Sequence, residues 1–105
     1  MAEQKDIKGV TKLEYMDKKI IMQSIAHYGQ QKQAVVCMEE CSELIQAISK
    51  ELRGKSDLDH LTEEMADVAI CLEMMKLLFN IKQEDIDIWV KLKQKRMQER
   101  MKEGV

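Results

Sequence analysis

From Met65 to Phe79, twelve of fifteen residues are apolar. A helix that apolar around most of its circumference has to lie at the centre of its fold, and one chain of 105 residues can hardly cover it. The segment predicts a central helix and a second copy of the chain over its remaining face, most simply in a two-fold homodimer, with a homotetramer as the larger alternative. Proline is absent and glycine occurs four times. No stretch alternates apolar and polar residues for long, so the whole chain reads as all-α.

Four helices are expected. The first spans about Thr11 to Tyr28, with Leu13, Met16, Ile20, Ile21, Met22 and Ile25 as its apolar stripe, and Gly29 stops it. The second spans about Gln33 to Leu52 over a core stripe of Ala34, Cys37, Met38, Cys41, Leu44, Ile45, Ile48 and Leu52. Arg53-Gly54 ends it, and Ser56 or Asp57 caps the third, Leu58 to Phe79. Asn80 closes that helix. The fourth runs from about Gln83 to Lys102, opening on Glu84, Asp85 and Asp87 and closing on Lys93, Lys95, Arg96, Arg100 and Lys102, a gradient that complements the helix dipole. Residues 1–10 read as a polar, disordered leader to a single domain over 1–105.

Two carboxylate pairs interrupt this pattern. Glu40 and Glu43, and Glu64 and Asp67, each stand three apart, one turn along a shared helix face. Charged residues make up 34% of the chain, so an acidic helix segment is ordinarily a solvated face. Here the acids have apolar neighbours. Val36, Glu40, Glu43 and Ala47 form one stripe, on a different arc from the core stripe of that helix. Glu64 and Asp67 share a face with Ile70, Cys71, Met74 and Leu78, leaving Ala69, Glu73, Lys76 and Asn80 for solvent. Carboxylates on an apolar face are costly unless paired or bound to a cation. Four oxygen donors meeting between two helices suit a hard ion, Mg²⁺ or Mn²⁺.

The remaining features exclude more than they assert. A net charge of −2 creates no field that attracts nucleic acid. The chain opens on polar residues and has no apolar run of membrane-spanning length. Three cysteines, an odd number, at apolar positions suggest free thiols in a cytoplasmic protein. Cys37 and Cys41, at i, i+4, read as core thiols, and His60 as a surface residue near a helix start. His27 and Tyr28 at the end of the first helix either pack there or face a nucleobase. Lys91, Lys93, Lys95, Arg96 and Arg100 read as a solvated helix end or as a phosphate-binding edge, and Trp89 as a packing residue.

The tandem Glu39-Glu40-x-x-Glu43 and Glu64-x-x-Asp67, some twenty residues apart and each followed by an apolar residue, resembles the all-α MazG-like nucleoside triphosphate pyrophosphohydrolases and their dimeric dUTPase and dCTPase relatives. The resemblance extends from about His27 to Arg100. It implies an antiparallel four-helix bundle in the single-domain form, assembled as a homodimer or homotetramer. It implies Mg²⁺, or Mn²⁺ in its place, on Glu40, Glu43, Glu64 and Asp67, with Glu39 supporting a second ion or orienting the attacking water. The implied reaction converts an NTP or dNTP to its monophosphate and pyrophosphate. Lys91, Lys95 and Arg96 are the implied phosphate contacts, and Tyr28, from its own place at the helix end, is a further substrate-contact candidate. The opposing reading is a non-catalytic helical bundle that binds a nucleotide or a protein partner.

Overall fold

The computed structural model describes residues 16–104, so the expected leader, the apolar Leu13 and the proposed helix start at Thr11 lie outside the described residues. The fold is all-α, and the described residues form four helices: α1 (Lys18–Tyr28), α2 (Gln30–Leu52), α3 (Leu58–Leu78) and α4 (Gln83–Lys102). The α1 helix begins later than its apolar periodicity implies. Asp17 acts as the N-cap, its side chain accepting from Lys19 N at 2.9 Å, and this keeps Met16 out of the helix.

One residue joins α1 to α2. Gly29 caps α1, its N–H donating to Ile25 O, and at once serves as the N-cap of α2 with φ 92° and ψ 157°. That region of backbone space belongs almost solely to glycine. The connection is therefore tighter than the sequence implies, and α2 starts at Gln30 instead of near Gln33. A side-chain bond from Ser24 Oγ to Gln33 Oε1, 2.8 Å, holds the corner and occupies the polar end of the buried Gln33.

Helices α2 and α3 form the main contact, with α1 laid over both. Their pairing is antiparallel. Cys37 Sγ reaches Cys71 O at 3.8 Å and Met74 Sδ at 3.9 Å, while Glu43, further along α2, meets Glu64, earlier in α3. The five-residue link is fixed by Glu51, whose Oε1 accepts from Ser56 Oγ (3.2 Å) and Asp57 N (3.1 Å), and Asp57 in turn caps α3 through His60 N (3.0 Å). At the far end Phe79 N donates to Met75 O and Ile81 N to Lys76 O, with Asn80 left-handed at φ 54°. This is a Schellman-type stop, so Asn80 ends the helix as its type suggests.

Among the described residues the buried core is small: Ile21, Cys37, Ala47, Cys71 and Met74, with Met16, Ile25, Met75 and Leu78 packed around it. Only Ile21 and Met74 are large, and full burial of such a side chain contributes about 1.5–3 kcal/mol. Several expectations fail within one chain. Of the α1 stripe, Ile20 and Met22 are exposed. Of the α2 core stripe, Cys37 is buried, but Met38, Ile45, Ile48 and Leu52 stand in solvent, Leu52 at 84% exposure. The helix contact runs instead through Gln33, Cys37, Glu40, Leu44 and Ala47, so Glu40 is not set away from it. On α3, Ile70 is exposed, whereas Glu73 and Lys76, expected in solvent, are half-buried and paired at 2.6 Å.

Helix α4 buries no residue and packs along none of the other three. At the turn before it, Lys76 Nζ donates to Gln83 Oε1 at 2.6 Å. The Cα radius of gyration, 16.9 Å, exceeds the roughly 13 Å of a compact domain of about 100 residues.

Candidate metal centre

The two acidic segments meet halfway along the α2–α3 pair. A carboxylate oxygen from each of Glu40, Glu43 and Glu64 lies within 4.8 Å of the others, and so does one from each of Glu63, Glu64 and Asp67. Glu64 belongs to both sets and is the most enclosed of them, at 4% exposure, with Glu40 and Asp67 half-buried and Glu43 and Glu63 exposed. The helical period explains the convergence. Glu40 and Glu43 stand one turn apart on α2, Glu64 and Asp67 one turn apart on α3, and the antiparallel pairing puts Glu43 level with Glu64 and Glu40 level with Asp67.

Electrostatics follow from this crowding. The Glu40 carboxyl is pushed up from 4.5 to about 7, by burial first, then by the adjacent Asp67 carboxyl, then by the charges of Glu43 and Glu64. Glu64 is also raised, by burial first and then by Glu43, with His60 opposing the shift before Asp67 and Glu63 add to it. Two oxygens, Glu40 Oε2 and Glu64 Oε2, are buried with no hydrogen-bond partner among the described residues. Orphaned carboxylate oxygens of this kind are rare in folded proteins and call for an explanation.

A hard cation supplies one. Mg²⁺ binds oxygen donors at about 2.1 Å, so donors on opposite sides of the ion stand about 4.2 Å apart. Oxygens already within 4.8 Å need only a small closure to reach that spacing. The donor set is all oxygen, with no soft ligand: Cys37 and Cys71 are buried on the same seam but held away in the apolar core, and burial, with the Cys37 thiol beside it, pushes the Cys71 thiol up to about 12. Cys37, Cys41 and Cys71 are all free thiols.

The other residues singled out from the sequence are dispersed. Glu39 is exposed and lines a shallow groove with Glu43, Ser42 and Gln46 at the rim of the cluster. Tyr28 is half exposed at the α1–α2 corner, edge-on to His27 with ring centroids 4.6 Å apart, and Lys32 Nζ sits 5.4 Å from its centroid. Lys91, Lys95 and Arg96 lie exposed on α4, which is not packed against the acidic cluster within one chain. Trp89, expected to pack, is 55% exposed, with Lys93 Nζ 5.7 Å from its ring centroid. Two residues at the cluster escape a sequence reading, Glu63 and His60. The i, i+4 spacing of His60 to Glu64 was the available signal: His60 Nε2 lies 3.7 Å from Glu64 Oε1.

An all-helical fold with two carboxylate pairs facing each other across an antiparallel helix pair defines a class of acid-centred helical domains. Within that class the chain belongs to the MazG family: residues 29–103 match the family described as the MazG nucleotide pyrophosphohydrolase domain. No curated protein and no solved structure matches it. Among the described residues no helix is long and apolar enough to cross a membrane.

Proposed function

We propose that the chain is a Mg²⁺-dependent nucleoside triphosphate pyrophosphohydrolase, converting an NTP or dNTP and water to the monophosphate and pyrophosphate. The observation that carries this reading is the pair of partnerless buried oxygens, Glu40 Oε2 and Glu64 Oε2, where two groups of three carboxylates overlap at Glu64. Membership of a nucleotide pyrophosphohydrolase family supplies the substrate class.

In this reading Glu40, Glu43, Glu64 and Asp67 hold the ion, with Mn²⁺ as a substitute. When bound, the ion neutralises the polyphosphate and acidifies the attacking water. Glu39, exposed at the rim beside Glu43, orients that water towards the α-phosphorus or supports a second ion. Lys91, Lys95 and Arg96 neutralise the departing pyrophosphate, and Tyr28 faces the base. In the single chain α4 lies apart from the acids, so these basic residues reach the site only if α4 is docked, from the same chain or from another copy.

The assembly proposed is a homodimer or homotetramer. Ala34, Met38, Cys41, Ile45, Met75 and Phe79 line an apolar groove of about 470 Å³ on α2 and α3, the surface that a second copy would cover. Free cysteines fit a reducing, cytoplasmic compartment.

Phosphate release measured with added pyrophosphatase, across the eight common NTPs and dNTPs with Mg²⁺ or Mn²⁺, tests the activity. Release only in the presence of the coupling enzyme is expected, and none with any nucleotide would favour a non-catalytic bundle. Reaction in ¹⁸O-water should label the monophosphate. Label in inorganic phosphate, with a diphosphate product, would mean attack at another phosphorus.

A further inference from the structure

We propose that His60 is a positioning residue for the cation site, holding one oxygen of Glu64 so that the other stays turned into the cluster. The inference rests on the metal reading above and adds a residue outside the four proposed ligands.

Glu64 divides its two oxygens. Oε1 lies 3.7 Å from His60 Nε2, and Oε2 is buried without a partner among the described residues. Helix geometry favours this division. Side chains in an α-helix lean towards the N-terminus, so Glu64 at i+4 reaches back over His60. The Glu64 side chain is 5% exposed and that of His60 41%, which places the imidazole at the edge of the cluster between the carboxylate and solvent. A 3.7 Å separation is too long for a hydrogen bond, and closing to one needs a shift of about 0.8 Å.

The backbone of His60 is held in place. It occupies the first turn of α3, where its main-chain N–H donates to Asp57 Oδ1 at 3.0 Å. Asp57 N donates to Glu51 Oε1 at 3.1 Å, and Ser56 Oγ joins it there at 3.2 Å. Glu51 closes the C-terminal end of α2, the helix that carries Glu40 and Glu43. A line of hydrogen bonds thus runs from the end of α2 through the cap of α3 to the backbone of His60, whose imidazole stands 3.7 Å from Glu64. It anchors the residue that carries the imidazole to the helix bearing the facing pair. Groups that orient a metal ligand in this way typically contribute 10–100-fold in metal affinity.

The test is a titration of the full chain with MnCl₂ alone, following free Mn²⁺ by electron paramagnetic resonance, in the parent, His60→Ala and His60→Gln. The alanine variant should bind Mn²⁺ about tenfold or more weakly, on the scale of lost orienting groups. His60→Gln, which keeps a donor within reach of Glu64, should regain most of that loss, while the metal-free melting temperatures of all three stay together. If the alanine variant does not fold, His60→Leu replaces it, matching bulk without a donor. Equal affinity in the donor-less variant and the parent would overturn the proposal, as would a loss that glutamine fails to restore. A parent that binds no Mn²⁺ removes the metal reading and this one together, a failure distinguished by the parent titration alone.

Discussion

Along the inner seam of α2 and α3, Glu64 is buried and Glu40 half-buried, while on the outer faces of the same two helices Met38, Ile45, Leu52, Leu72 and Phe79 stand in solvent. The two regions invert the usual placement of residue types. A scattered exposed apolar side chain is ordinary, but a contiguous apolar groove on the surface marks an interaction site, and an unpaired buried carboxylate marks a ligand or a functional cost. The seam gathers like charge out of water, and the outer face turns apolar surface towards it.

The sharpest way to break this comparison is to neutralise the seam. Asp67→Asn or Glu40→Gln should lower pyrophosphate release by at least about 10²-fold, the scale of losing one preorganised electrostatic group. Either change also removes a like charge, so the metal-free melt should be unchanged or higher. Mg²⁺ should raise the melting temperature of the parent by mass action and of these variants far less. An Asp67→Asn melt with the parent's full Mg²⁺ response would exclude that residue from the site.

Next comes the outer face. Light scattering should give a mass two or four times that of the 12.3 kDa chain, and Ile45→Asp, which puts a charge in the apolar groove, should dissociate or unfold the assembly. A parent mass of one chain would mean that the outer face is simply exposed, and the comparison would lose one of its sides.

A smaller effect tests whether α4 completes the seam. Lys91→Ala, Lys95→Ala and Arg96→Ala should each raise KM by up to about tenfold, one decade being 1.4 kcal/mol, with kcat changed less. Unchanged steady-state kinetics in all three would separate α4 from the substrate.

The smallest effect is the pH dependence of the metal-free protein. The folded state raises Glu40 from 4.5 to about 7, so it holds that proton more tightly than the unfolded chain does. The resulting stability is fully present below 4.5 and is lost as pH rises to about 7; the raised Glu64 acts in the same direction. Thermal melts without cation should therefore fall across that interval, and Glu40→Gln should flatten the fall. Saturating Mg²⁺ should reverse it, since the ion displaces the proton.

Much of the fold was legible in the sequence. The end of α2 and both ends of α3 follow from Arg53-Gly54, the Asp57 cap and Asn80, local signals that need no tertiary contact. That the two acidic segments face each other was legible too, because an i, i+3 spacing on two helices joined by a short link restricts where the pairs can meet. What could not be read was the partner of each apolar stripe. Periodicity locates Met38, Ile45 and Leu52 on one arc of α2 but does not say whether α3 or another molecule covers it. The seam took the neighbouring arc, through Cys37, Glu40 and Ala47. His60 was hidden for a related reason: its role depends on a carboxylate one turn away being buried, which composition does not reveal. Helix α4 was placed correctly along the chain, yet the sequence held no sign that it would lie apart from the other three.

Gly29 has a consequence for anyone scanning this chain by mutation. A Cβ there would meet nothing within 4 Å, yet the φ of 92° is one that residues with side chains rarely adopt. A library selected for folding should thus retain almost only glycine at this position. It borders Tyr28 and Lys32 at the edge of a shallow pocket, so its intolerance would be mistaken for ligand contact. The constraint belongs to the backbone of a one-residue joint, and a map of tolerated substitutions separates it from the acids only if stability and turnover are scored apart.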